Sequence, residues 1–145
     1  MYRKTFEELS KNELYALAKL RQQVFIVEQN SIYTDLDDHD QEAIHFLDFD
    51  LSGKLTVYAR YRWEKSANKV KIERVVLDKS VRGKGQGKRL MQRMLSDINL
   101  NYPKLTIILS AQANVCYFYH SLGFITQGDV YDDGGIDHIN MFHQQ

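Results

Sequence analysis

KVKIERVVL (69–77), VRGKGQGKR (81–89) and LMQRMLSDI (90–98) stand in succession and decide how this chain is read. The first is a strand ending in an apolar run, and the last places Leu90, Met91, Met94, Leu95 and Ile98 on one helical face. Between them, Gly83, Gly85 and Gly87 let the backbone come close to a ligand and aim its N–H groups inward. The N-terminus of the following helix adds partial positive charge. Arg82, Lys84, Lys88 and Arg89 add cations, and no acid lies between 79 and 96. Strand, glycine turn and helix in this order form an anion cradle, and phosphate is the expected ligand. The spacing GxGxG fits neither the P-loop GxxxxGK[ST] nor the dinucleotide fingerprint GxGxxG.

Outward from this unit the elements fall into place. Tyr2–Phe6 reads as a short strand. Ser10 and Glu13 form a capping box, and Leu14, Leu17, Leu20, Val24 and Val27 carry a helix over 11–28. His45–Asp50 and Lys54–Trp63 flank Ser52-Gly53 as a hairpin, the second arm alternating like a half-buried strand. After the glycine unit, Asn101 and Pro103 stop the helix, and Leu105–Leu109 reads as a buried strand. A short aromatic helix over 113–121 follows, and then Phe124–Gln127 and Ile136–Phe142 bracket a D-D-G-G turn. The fold class is α/β (α+β), with a mixed, mostly antiparallel sheet flanked by helices, in one domain spanning 1–145.

Composition narrows the function. Lys+Arg and Asp+Glu are 19 each, so net charge gives no reason to expect nucleic acid or an anionic membrane as partner. A nucleic-acid reading of Arg82–Arg93 is weakened accordingly. No apolar run is long enough to span a bilayer and MYRKTFEELS lacks a signal-peptide core, so the expected address is the cytoplasm. Cys116 is the lone cysteine. GxSxG, HExxH and Cys/His zinc spacings are absent, and no metal is expected. The acidic stretch 33–40 fails the EF-hand pattern in both registers tried. It reads either as a solvated loop or as an acidic wall that attracts a cationic amine. Of Tyr117, Phe118 and Tyr119, Phe118 is expected in the core.

R-x-x-G-x-G after R-V-V-L-D resembles the acyl-CoA motif of the GNAT superfamily of N-acetyltransferases. LRQQVFIVEQ (20–29), YTDLDDHD (33–40), YARY (58–61), SAQAN (110–114), FYHSLGF (118–124) and VYDDGGIDHINM (130–141) are similar to its ElaA-type branch. The resemblance implies acetyl-CoA as cofactor. The backbone of Val75, Val76 and Leu77 would pair with its pantetheine arm. The segment from Arg82 through Gly83, Lys84, Gly85, Gln86, Gly87 and Lys88 would hold its pyrophosphate. Gln112 would touch the cofactor, and Tyr119 would stand beside the thioester sulfur. The acceptor would be an amine of a small molecule, peptide or protein, and a homodimer through the later strands is compatible. Glu73, in place of a small residue, and Asp137, in place of proline, depart from the pattern.

Acetyl transfer to an amine needs a neutral nucleophile, an N–H donor for the developing oxyanion and a proton for the departing thiolate. An alkyl ammonium with pKa ~10.4 must first lose its proton. A strand N–H near Val76 and the Tyr119 hydroxyl can meet the second and third needs. For the first, Glu73, His45, Glu28 and His138 are candidates beside direct loss to solvent. Regular alternation puts Glu73 on one face with Val75 and Leu77. The rival reading is a CoA-binding sensor or interaction domain without chemistry.

Overall fold

The computed structural model describes residues 1–145. Strand β1 (Tyr2–Thr5) leads into helix α1 (Lys11–Arg21), which runs on as a π-helical segment over Gln22–Glu28. Then come β2 (Ile44–Phe49), β3 (Leu55–Glu64), β4 (Lys69–Leu77), α2 (Gln86–Asn101), β5 (Ile107–Gln112), α3 (Cys116–His120), β6 (Ile125–Asp133) and β7 (Ile136–His143). One sheet orders the strands β1-β2-β3-β4-β5-β7-β6. Only β4 and β5 run parallel. No helix is long and apolar enough to cross a membrane.

The capping box forms as expected: the Glu13 amide donates to Ser10 Oγ at 3.0 Å and the Ser10 amide donates to Glu13 Oε1 at 2.8 Å. Leu17 and Leu20 of α1 and Val24 of the π segment bury against Leu47, Tyr58 and Val76 on one face of the sheet. Leu14 and Val27 stay exposed. The π segment widens the turn after Arg21, so the 3.6-residue phase that would have buried Val27 is lost. On the opposite face, Leu90, Met91, Met94 and Ile98 of α2 pack on Val57, Ala59 and Tyr61.

Strand β3 departs from the expected alternation. Every residue from Leu55 to Arg62 is buried, because helices and the 30–43 segment cover both faces. At the far hairpin Gly134 and Gly135 both take positive φ, the two-residue turn that the D-D-G-G pattern announces.

A bulge in β4 decides what faces the helices. Tyr58 pairs with Val76 and Arg60 with Glu73, so Ala59 stands opposite two residues, Arg74 and Val75. Arg74 takes φ 59°, in the left-handed region. The extra residue reverses the phase of the strand. Val70 and Ile72 lie in the α2-side core and Val75 and Leu77 pack against it, whereas Val76 joins the α1-side core. Glu73 therefore does not share a face with Val75 and Leu77, which corrects the expectation from plain alternation.

Candidate active site

β4 and β5 are paired only at Val70–Ile107 and Lys71–Ile108. Beyond Lys71 they diverge, since β5 continues along β7 as far as Gln112–His138. From Ile72 to Leu77 the β5-facing edge of β4 has no strand partner. A cavity of about 750 Å³ occupies the opening. Its walls are this edge of β4, the glycine loop, the end of the π segment, α3 and the β6–β7 hairpin.

The glycine loop forms the mouth. Gly83 (φ 74°) and Gly85 (φ 80°) adopt a conformation that disfavours side chains, and Gly85 is the N-cap of α2. The first intrahelical bond is Arg89 N–H to the Gly85 carbonyl, at 3.1 Å. No backbone acceptor in the protein takes the amides of residues 83–88. The opening amides of a helix lack intrahelical partners, and with residues 83–85 and 88 exposed these donors stand open to an anion along the cavity. Arg82 Nε donates to the Leu77 carbonyl at 3.0 Å, and its two terminal nitrogens clasp Glu28 at 2.7 and 3.2 Å. Lys88 lines the cavity, but Lys84 does not; its ammonium turns back to the Ser80 carbonyl at 3.2 Å. Gln86 Oε1 is buried without a partner in the same wall. Open space at Gly83 and Gly85, unused amides and the cations Arg82 and Lys88 fit the diphosphate of coenzyme A.

Tyr119 reaches the cavity from α3, wedged between Phe118 and Phe124 with ring centroids 5.1 and 6.1 Å away. Its hydroxyl has no partner in the protein, and burial raises its pKa to about 12. Phe118 is half-buried, not a core residue as expected. It borders the cavity with Gly87, where an added Cβ would lie 3.4 Å from Phe118 Cζ. Gln112 also lines the cavity and donates to Gln29 Oε1 at 3.0 Å, tying β5 to the end of the π segment.

The four base candidates separate cleanly. His45 is excluded from the cavity: it is fully buried, with Nε2 donating to the Asp40 carbonyl at 2.9 Å and Nδ1 accepting from the Tyr58 hydroxyl at 2.7 Å. Burial holds its pKa below the ordinary value. Both oxygens of Glu28 are taken by Arg82. Glu73 borders the cavity, yet Arg62 donates to its Oε1 at 2.6 Å and Arg60 stands 3.3 Å away. Burial alone would raise the Glu73 carboxyl, but these arginines outweigh it and hold it below the usual range. His138 lines the cavity with Nδ1 2.7 Å from the Ile136 carbonyl. In the neutral ring that contact puts the proton on Nδ1 and a lone pair on Nε2.

Three of the four aspartates in the acidic stretch are neither solvated nor an open wall, and only Asp38 is exposed. Asp35 and Asp40 are buried and Asp37 is half-buried. Arg21 Nε meets Asp35 at 2.9 Å and its Nη1 meets Asp40 at 2.7 Å. Arg60 meets Asp37 at 2.6 Å and Asp40 at 2.7 Å. Arg74 meets Asp35 at 3.0 Å and Asp37 at 3.2 Å, and lies over the Tyr33 ring. Burial would raise these carboxyls, but Arg60 holds Asp37, and Arg21 holds Asp40, below the usual range. The network fixes the segment beside the cavity. Ser31 Oγ then donates to the Gly134 carbonyl at 2.5 Å and joins it to the far hairpin. Sequence reasoning missed Arg74, Tyr33 and Ser31, which the structure puts in the cavity wall. Arg74 was adjacent to the motif, but nothing in the pattern announces a bulge there.

A family model described as an acetyltransferase (GNAT) domain matches residues 7–144. The chain belongs to the GNAT acetyltransferase family. Within it, the chain is similar to protein ElaA of Escherichia coli, 39% identical over 137 residues that cover 92% of this chain and 89% of that protein. The crystal structure of E. coli ElaA superposes with a TM-score of 0.92, covering 99% of this chain and 98% of that one. An acyl-CoA N-acyltransferase from Pseudomonas aeruginosa also superposes at 0.92, with 34% identity over 98% and 97% of the two chains. An aminoglycoside 6'-N-acetyltransferase solved with coenzyme A shares the GNAT fold at a TM-score of 0.73 and 15% identity, covering 99% and 97%.

Proposed function

We propose that the chain transfers an acetyl group from acetyl-CoA to a primary amine of a small molecule, peptide or protein, by direct attack of the amine. The observation that carries this is the run of unengaged amides at 83–88 opening onto the same cavity as the unpartnered Tyr119 hydroxyl. The occurrence of coenzyme A on a neighbour of the same fold supports the choice of ligand. When bound, acetyl-CoA supplies an activated acyl group on a thioester.

The chain's own residues do the rest. Amides 83–88, with Arg82 and Lys88, hold the diphosphate at the helix N-terminus. The free edge of β4 from Ile72 to Leu77 offers N–H and C=O groups to the extended arm, as a neighbouring strand would. An N–H of this edge near Val76 donates to the acyl oxygen as it gains negative charge. Tyr119 stays protonated throughout the physiological range, so it always has a hydrogen bond to give the departing sulfur. The gap between its pKa of about 12 and a free thiol's ~8.5 would oppose full proton transfer by roughly 5 kcal/mol. The same burial raises the basicity of a thiolate formed beside it, which narrows that gap. Of the four side-chain candidates His138, through Nε2, is the proton acceptor beside direct loss to solvent, since Glu28 and Glu73 are engaged by arginines and His45 is outside the cavity.

The test is free CoA release with a panel of amines, beside calorimetry of CoA. Heat on CoA binding and amine-dependent release are expected. Binding without release from any amine overturns catalysis and leaves a CoA-binding domain; absence of binding heat overturns the site itself.

A further inference from the structure

A second cavity of about 280 Å³ lies beside the first and is unused by the chemistry above. Lys71, Leu109 and Ser110 line both, so the two adjoin at the point where β4 and β5 part. One wall is polar and held in place: the Tyr131 hydroxyl donates to Asn140 Oδ1 at 2.8 Å and contacts Ser110 Oγ. The other wall carries Lys69 and Lys71.

These two lysines are underused. Lys71 Nζ comes no nearer to an acid than 3.9 Å from Glu73 Oε2, and Glu73 is already committed to Arg62 and Arg60. Lys69 forms no ion pair within 4.0 Å, although Glu64 faces it across the β3–β4 ladder. No aspartate or glutamate lines this cavity. Elsewhere around the site the arginines are paired, Arg21, Arg60 and Arg74 with acids of the 33–40 stretch and Arg82 with Glu28, and the free Lys88 stands at the glycine loop. Positive charge left without a counterpart, over a wall rich in hydrogen-bonding groups, calls for an anion. A space of this size, open to solvent at Ser110, Gln127, Tyr131 and Asn140 and adjoining the first cavity at Lys71, Leu109 and Ser110, admits one small group.

We propose that this cavity is the distal subsite of the acceptor and receives a carboxylate, so that the acceptor class is an amine bearing a carboxylate remote from the reacting nitrogen. Lys71 holds the carboxylate, with Lys69 adding field, and Asn140 Nδ2, the donor that the Ser110–Tyr131–Asn140 chain leaves free, adds a hydrogen bond. The proposal rests on the transferase reading above and names the substrate class of that site. Lys71 is a specificity residue here, because it sorts acceptors without touching the reacting atoms.

The experiment compares kcat/KM for ω-amino acids of three to six carbons with that for alkylamines of the same length. At least a 10-fold preference for the amino acids is expected at the best length. Lys71→Met should reduce that ratio by 10-fold or more, Lys69→Met by less, and Lys71→Arg should restore it. Lys19→Met, on the exposed side of α1, serves as the control and should leave the ratio unchanged. Equal or better use of the alkylamines overturns the proposal, as does a ratio that survives Lys71→Met. Should neither series be turned over, the subsite is judged by binding alone. An N-acetyl ω-amino acid titrated into CoA-loaded protein should then give heat that Lys71→Met abolishes; absence of heat in the unaltered protein overturns the subsite.

Discussion

Two polar regions flank β4 and are built on opposite terms. On one side, Arg21, Arg60 and Arg74 interlock with Asp35, Asp37 and Asp40, three cations against three acids. On the other, the amides of 83–88, the Tyr119 hydroxyl and Gln86 Oε1 have no partner in the protein. The first region holds the chain still because each of these carboxylates meets a cation, although Arg60 Nε and Arg74 Nε are buried without a hydrogen-bond acceptor. The second can act because its donors are held in place and left open. A buried polar group is costly unless paired, so each open group is tolerable only where water or a ligand reaches it.

The comparison breaks most visibly at Arg60. Arg60→Ala leaves Asp37, Asp40 and Glu73 short of their shared cation, and breaking such a buried pair costs about 3–5 kcal/mol. Thermal unfolding should move down by about 10 °C or more; a shift of a degree or two would show the network to be ornamental. On the open side, Gly85→Asp puts negative charge at the cradle, at a φ that aspartate tolerates better than most residues. CoA affinity should fall by about 10²-fold or more, read by calorimetry, with folding retained. Affinity that survives would place the diphosphate elsewhere.

Tyr119→Phe keeps the ring packing against Phe118 and Phe124 and removes only the hydroxyl. Turnover should drop about 10²-fold while CoA affinity holds, and an unchanged kcat would remove the tyrosine from the mechanism. Acid probes the paired side again. The His45 pKa is depressed by burial, so below its unfolded value of ~6.5 the unfolded chain takes up a proton that the native state refuses. Asp37, Asp40 and Glu73 are likewise depressed, so their contribution is present above ~4 and is lost as pH falls through their lower native values. Urea unfolding should show stability falling by about 1 kcal/mol from pH 7 to 5.5 and faster below 4; stability that rises on acidification would contradict both. The smallest effect belongs to Glu28→Gln. Its pair with Arg82 is about 40% exposed on both sides, a class worth ~0–1 kcal/mol. Freeing Arg82 should tighten CoA binding by no more than a few-fold.

Much of the frame could be read without coordinates. Ser10 with Glu13, the α2 face of Leu90, Met91, Met94 and Ile98, and the double-glycine turn are local patterns, and local patterns survive folding. The glycine cradle was legible for the same reason: its function needs adjacent amides on consecutive residues. The base candidates were not. His45 and His138 look alike as strand histidines, and only the Asp40 carbonyl and the Tyr58 hydroxyl, brought by other elements, take the first out of play. The acidic stretch misled because its three arginines stand at 21, 60 and 74, on separate elements.

The order and kind of the elements, and the anion cradle with its positive φ at Gly83 and Gly85, were dictated by the chain itself, because each rests on residues within a few positions of one another. The divergence of β4 from β5, the bulge at Arg74 that turns Glu73 away from Val75, and the pairing of Arg21, Arg60 and Arg74 belong to the tertiary structure. They depend on register between distant strands and on which charges meet in a low-dielectric interior, and no single stretch of sequence specifies either.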